Sequence, residues 1–231
     1  MKSLIAKENA IFEILQKFID ANLEFVVVGG YAVSAFKHRF SVDADIVISS
    51  ESLEKFESIL KKENFKKSYE KEIENIYSSR FVRYEKDTAS VDMLVDALAS
   101  RTTNASFSYK LLYKNSINKK IIGIEKEVTA LVPGKELLIV MKIHSGRLTD
   151  FRDIAALAKD TDLETIKKFL FIGDLKSLQK NLKKLQKTVK NKNFIDAFKG
   201  VFIEKKFDVD IKQVENISKL KVPEKINKDL N

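Results

Sequence analysis

Asp43 and Asp45, in the stretch Ser41-Val42-Asp43-Ala44-Asp45-Ile46-Val47-Ile48, set two carboxylates at alternate positions of an otherwise apolar run. In a strand that alternation puts both on one face, about 6.5 to 7 Å apart along the chain, with Val42, Ala44 and Ile46 on the other. Two acids facing a core are costly unless something cationic pairs with them. A divalent ion such as Mg²⁺, which takes carboxylate, water and phosphate oxygens, is one candidate. The other reading is a strand end where both acids meet water or pair with Arg39 or Lys37. Upstream, Gly29-Gly30 closes the apolar run Phe25–Val28 and opens a helix-like segment. Such a turn offers backbone N–H groups at a positive helix end, where phosphate binds. It lacks both the G-K-[ST] of a Walker loop and the third glycine of a dinucleotide fingerprint, and a plain tight turn explains the pair equally. A third acid, Asp92 in Ser90-Val91-Asp92-Met93-Leu94-Val95-Asp96, faces away from Val91, Met93 and Val95, with Asp96 further along its polar side. Asp92 is otherwise an edge-strand acid in water. Three acids from two strands beside a glycine turn are equipment for metal-assisted phosphoryl or nucleotidyl transfer.

These residues need strands and helices to hold them, and the hydrophobic periodicity supplies both. A helix over about Ser3–Ala21 carries Ile11, Leu15, Phe18 and Ile19 on one side and leads into the strand Phe25–Val28. A short helix follows in Tyr31–His38, then the strand Ala44–Ser49, then a helix over Ser52–Glu63 that Ser50 or Ser52 caps. Three β-rich runs come next, at Ile76–Glu85, Ala89–Ala97 and Lys119–Val132. After Val132-Pro133-Gly134 the pattern turns helical through Leu220, and the polar 221–231 end frays. The expected architecture is α/β (α+β), with an α/β domain over 1–133 and a basic helical domain over 134–231.

Composition narrows the chemistry. Cysteine is absent from the 231 residues, which excludes thiol catalysis, disulfides and cysteine-ligated zinc. His38 and His144 have no spacing suited to a shared metal and are expected in solvent or core. The longest nearly apolar stretch, Phe25–Phe36, falls well short of the roughly 20 residues that span a bilayer. Lys7, Glu8 and Glu13 interrupt the N-terminal apolar residues as in an amphipathic helix and unlike a signal peptide, so a cytoplasmic protein with no membrane partner is expected. The formal charge is +9, and residues 1–133 hold 20 basic against 19 acidic side chains. The excess therefore belongs to residues 134–231, which suits a polyanionic partner or a lysine-rich solvated surface.

Gly29-Gly30, then Arg39-x-Ser41-x-Asp43-x-Asp45 at the start of an apolar strand, then Asp92 in a later strand, together resemble the nucleotidyltransferase superfamily of the DNA polymerase β type. More narrowly the chain is similar to the branch containing the abortive-infection toxins of type IV toxin–antitoxin systems. The stretch Glu136–Ala158, with Lys142, Arg147, Thr149-Asp150 and Asp153, resembles the helix that follows in that branch, although Thr149 stands where a lysine is usual. The resemblance spans about Phe25–Ala158. It implies a mixed sheet flanked by helices, with a C-terminal all-helical domain. It implies that Gly29 and Gly30 hold the triphosphate of an NTP, helped by Ser34 and Arg39. Asp43 and Asp45 would ligate two Mg²⁺ ions, with Mn²⁺ as a substitute, and Asp92 would complete the ion at the acceptor. Lys142 would reach the outer phosphates, and Arg147, Asp150 and Asp153 would line or orient the nucleotide site. Alternatively, Lys142, Arg147, Asp150 and Asp153 form helix-surface ion pairs worth about 0.2 to 0.5 kcal/mol each.

Leu175, Leu178, Leu182, Leu185 and Val189 repeat at helical spacing, and Lys176, Lys180, Lys183, Lys187 and Lys190 form a second stripe roughly opposite. Five lysines along one helix track a phosphate backbone or lie in water. Phe194, Phe198 and Phe202 are expected in core. The expected activity is transfer of NMP from an NTP to RNA, tRNA in particular, as a toxin with a cognate antitoxin. The alternatives are a small-molecule acceptor of antibiotic type and a non-catalytic nucleotide- or RNA-binding protein.

Overall fold

The computed structural model describes residues 2–73, 79–191, 193, 194, 196, 202 and 209–223. The chain forms two compact units, Met1–Ala99 with Phe107–Gly134, and Ser100–Ser106 with Lys135–Asn231.

In the first unit α1 (Lys2–Asp20) leads into β1 (Val26–Val28), α2 (Gly29–Ser34), β2 (Asp43–Ile48) and α3 (Leu53–Lys62). Then come β3 (Lys66–Ile73), β4 (Ser79–Lys86), β5 (Ala89–Val95), the short pair β6 (Ala97–Ala99) and β7 (Ser106–Ser108), α4 (Tyr109–Lys114), β8 (Ser116–Ile122) and β9 (Glu127–Pro133). Among the described residues seven strands make one mixed sheet in the order β3-β4-β5-β2-β1-β9-β8. The parallel pairs are β2 with β5 and β1 with β9, and β1 runs antiparallel to β2. The three valines of β1 are fully buried, as a central strand requires. Phe18 of α1 and Phe56 of α3 meet edge to face at 4.8 Å, and both meet Phe25. That aromatic cluster ties α1 and α3 together beside β1. Glu8, a buried acid on α1, accepts the Ile124 N–H at 2.6 Å and so anchors the helix to the β8–β9 turn.

Several local expectations needed correction. Val42 is 51 % exposed, because β2 begins only at Asp43. A 3-10 turn over Ser50–Ser52 precedes α3, and its cap is Ser49, which accepts the Glu51 N–H; neither Ser50 nor Ser52 does this. β3, β7 and α4 lay outside the sequence pattern. β3, Lys-Lys-Ser-Tyr-Glu-Lys-Glu-Ile, is an edge strand whose mostly polar side chains give no two-residue hydrophobic period.

The second unit holds α5 (Lys135–Ser145), α6 (Leu148–Leu157), α7 (Leu163–Leu170), α8 (Leu175–Val189) and α9 (Ile211–Ser218). Asp162, Asp174 and Asp210 cap α7, α8 and α9 through backbone N–H groups of the first turn. Leu178, Leu182, Leu185 and Val189 are buried along α8 while Lys176, Lys180, Lys183, Lys187 and Lys190 are exposed, as their spacing predicts. Buried Asn181 interrupts the apolar stripe and donates to the carbonyls of Ile143 and His144. Phe194 and Phe202 are buried; Phe198 and most of the expected helix Asn193–Phe207 lie outside the described residues, as do 224–231.

His144 fastens the Ser100–Ser106 segment to the helices of this unit. It is fully buried; its Nε2–H donates to the Leu170 carbonyl at 3.0 Å. Its Nδ1 therefore accepts from the Thr103 hydroxyl at 2.8 Å. Burial pushes the imidazole pKa down to about 4, against the opposing pull of the Leu170 carbonyl. Between pH 6.5 and 4 the unfolded chain takes a proton that the folded chain refuses, so this contribution to stability is present above pH 6.5 and is lost as pH falls. The urea midpoint is expected to drop over that window by the equivalent of about 3 kcal/mol, and His144→Gln should remove that part of the pH dependence.

Candidate active site

Strand register, more than proximity in sequence, assembles the acidic residues. Asp45 lies opposite Asp92 across the parallel β2–β5 pair, and Asp43 lies opposite Ser90. On the other side of β5, Arg83 of β4 lies opposite Asp92. Residues in direct register share a face, so Arg83, Asp92 and Asp45 form one row across three strands. β1 continues it, since Val28 is the register partner of Asp45 and the next residue is Gly29.

Gly29 has φ +66°, and a side chain there would run into the Asp45 carboxylate. Both facts select glycine, one through backbone strain and the other through close approach. A Cβ on Gly30 would meet the Ser41 hydroxyl and come within 3.3 Å of the Arg39 guanidinium. Arg39 and Ser41 thus fold over the start of α2, with Arg39 Nε donating to the Phe40 carbonyl at 3.2 Å. Tyr31, fully buried, donates to the Ser41 carbonyl at 3.0 Å and fixes the 35–42 loop. Burial pushes the Tyr31 phenol well above its usual range. Ser34 is buried and donates to the Ile122 carbonyl at 3.0 Å, so its hydroxyl is engaged in joining α2 to β8.

The three acids have different surroundings. Asp43 is half-buried and accepts a hydrogen bond from the Ser90 hydroxyl. Asp45 is half-buried against Gly29. Asp92 is buried, and both its oxygens accept from Arg83, Nε and Nη2 each at 2.6 Å. Burial pushes the Asp92 carboxyl up, with Arg83 opposing, and the hydrogen bond to Asp92 holds Arg83 firmly protonated. Two short charge-assisted bonds in a fork geometry mark an ion pair. Asp96 lies beyond the row: its backbone, at φ +64°, ends the strand and its Oδ1 accepts the Ser50 N–H.

Hard carboxylate oxygens on Asp43 and Asp45 fit one Mg²⁺-type ion completed by water and phosphate oxygens. The fit of a third carboxylate is different, because Asp92 is already taken by a cation. Among the described residues no group of three His, Cys, Asp or Glu side chains is arranged to hold a metal.

Lys142, Arg147, Asp150 and Asp153 form a cluster of their own in the second unit. Lys142, 6 % exposed, pairs with Asp150 at 3.2 Å and Asp153 at 2.7 Å, both only 1 % exposed. Their expected alternative as surface ion pairs is therefore corrected: α5 and α6 pack with these three residues inside. Arg147 caps α6 from outside, its side chain 69 % exposed and its Nε 2.8 Å from Asp150. Burial would raise the Asp150 carboxyl, but the Arg147 hydrogen bond and the Lys142 charge outweigh it and hold it below the usual range. Thr149 is exposed on the first turn of the same helix.

Arg83 and Ser90 were not singled out from the sequence. A signal for Arg83 did exist: the two-residue turn Asp87-Thr88, with Asp87 at φ +52°, sets Lys86 against Ala89 and hence Arg83 against Asp92.

No protein-family profile and no curated protein matches the chain. Solved structures do. The crystal structure of ANT(2″)-Ia in complex with adenylyl-2″-tobramycin superposes with a TM-score of 0.50 at 15 % identity, over 70 % of this chain and 93 % of that one. An H. pylori protein provisionally described as a nucleotidyltransferase matches at TM-score 0.47 and 15 % identity over 94 % of each chain. The solution structure of ANT(2″)-Ia, an antibiotic-resistance factor, gives 0.43 and 15 % over 83 % and 90 %. With a glycine turn between β1 and α2 leading to paired aspartates on β2, the chain has the nucleotidyltransferase fold.

Proposed function

We propose that the protein transfers a nucleoside monophosphate from an NTP to an acceptor hydroxyl on RNA, tRNA above all, in a metal-dependent reaction. The observation that carries this reading is the contact of Asp45 with Gly29, beside Asp43 on the same strand face. It sets the half-buried Asp45 carboxylate against a backbone turn that has no room for a side chain, with half-buried Asp43 two residues before it on the strand. In this reading the N–H groups of the turn and the Arg39 guanidinium bind the triphosphate, and Asp43 and Asp45 hold Mg²⁺ or Mn²⁺. When bound, the ion neutralises charge on the phosphate oxygens and lowers the pKa of the attacking hydroxyl. The acceptor oxygen forms the new bond to the α-phosphorus as the bond to the β-phosphate oxygen breaks, and pyrophosphate leaves. The hydroxyl proton passes to a carboxylate of the row, assigned here to Asp92. Lys142 acts through Asp150 and Asp153 by holding α6, and Arg147 is the exposed cation of that cluster. A toxin role with a cognate antitoxin belongs to the same reading.

The RNA acceptor is supported by the α8 lysines. Lys176, Lys180 and Lys183 border a groove of about 410 Å³ with Leu175, Val222 and Pro223. Lys183, Lys219 and Lys221 border an adjoining groove. Basic side chains along a groove suit a phosphate backbone. A second reading, a small aminoglycoside acceptor, is favoured by the likeness to a protein solved with adenylyl-2″-tobramycin.

Incubation with Mg²⁺, each α-labelled NTP and either total tRNA or tobramycin separates the two. Label is expected in RNA, with labelling reduced mainly at low salt when Lys176, Lys180, Lys183 and Lys187 become Gln. Label in tobramycin alone selects the second reading, and label in neither rejects nucleotidyl transfer to these acceptors.

A further inference from the structure

Arg83 stands in the acidic row as a built-in cation. It lies opposite Asp92 in the β4–β5 register, and its fork takes both carboxylate oxygens at 2.6 Å. The Asp92 side chain is 6 % exposed, so water offers it little alternative, while the Arg83 side chain is 34 % exposed and has a path outward. Asp43 is close enough for its charge to act on Arg83 as well. A divalent ion approaching Asp92 thus meets a carboxylate whose oxygens are already bonded and a guanidinium that repels it.

We propose that Arg83 sets the metal occupancy of this site: it holds Asp92 in the free protein, and a divalent ion gains that carboxylate only by displacing it. Asp43 and Asp45 then bind one ion in the resting protein. Asp92 joins only when Arg83 turns to another anion, for which the phosphate groups of a bound nucleotide are the chemical class at hand. Arg83 is a positioning residue in this scheme, acting through Asp92. The inference rests on reading Asp43 and Asp45 as metal carboxylates.

Mn²⁺ binding to the full chain without nucleotide, followed by the paramagnetic resonance of the free ion, tests it apart from activity. Arg83→Gln is expected to tighten Mn²⁺ binding about tenfold or to add a second ion, and Arg83→Gln combined with Asp92→Asn should cancel that gain. Equal binding in wild type and Arg83→Gln overturns the role of Arg83 while leaving Asp43 and Asp45 as ligands. Absence of binding in both proteins overturns both assignments. Should Arg83→Gln not fold, the wild-type protein answers through the Arg83 Nε–H resonance during Mg²⁺ and nucleotide titration. Its displacement supports the proposal, and a fixed resonance while the Gly29 and Asp45 amides shift overturns it.

Discussion

Asp43→Ala should lower nucleotidyl transfer by roughly 10³-fold while leaving the unfolding transition nearly in place. The size follows from removing one of two carboxylates that hold the reacting phosphate's counter-ion, a loss of several kcal/mol in the transition state at 1.36 kcal/mol per decade. The small structural effect follows from the surroundings of Asp43. It is the first residue of β2, half-buried, and accepts from the Ser90 hydroxyl. Its replacement empties little core and leaves one hydroxyl seeking water. Rate and urea midpoint measured on the same preparation check both halves. A variant as active as wild type would remove Asp43 from the chemistry, and an unfolded one would return it to architecture.

Lys142→Met has the opposite character, with a large cost in stability. Asp150 and Asp153, each 1 % exposed, both pair with Lys142, and Arg147 reaches Asp150 from a side chain 69 % exposed. Removing the lysine leaves buried carboxylates without their shared cation, a change that costs about 3 to 5 kcal/mol. Part of the loss should be recovered as pH falls and protons replace the missing Lys142 charge beside these buried carboxylates, the reverse of the wild-type trend set by His144. Lys142→Met combined with Asp153→Leu should restore stability at neutral pH, because a neutral pair of similar volume has no charge to desolvate. Urea unfolding of the single and double variants at pH 5 and 7 measures each effect. A single variant within about 1 kcal/mol of wild type would contradict the buried network.

What could be read from the chain alone was what repeats locally. The β1–glycine–α2–β2 unit and the α8 stripe carry their own period, so their faces follow from spacing, and Gly29 shows the positive φ that its neighbours suggest. Lys142 and Asp153 were seen as residues of interest, but their burial was not, since α5 and α6 meet only through tertiary packing that spacing does not encode. Buried Glu8 gave no hint, because on a helix wheel an acid in the first turns looks solvated until the β8–β9 turn supplies the Ile124 N–H. The pairing of Asp43 with Ser90 depends on a parallel register joined by a long connection, which no turn in the sequence sets.

The most direct test is a crystal structure with Mn²⁺ and a non-hydrolysable NTP. An anomalous peak about 2.1 Å from carboxylate oxygens of both Asp43 and Asp45, with phosphate against the Gly29–Gly30 backbone, is the expected result. A nucleotide bound away from that turn, or these two carboxylates without an ion between them when the nucleotide is present, would contradict it.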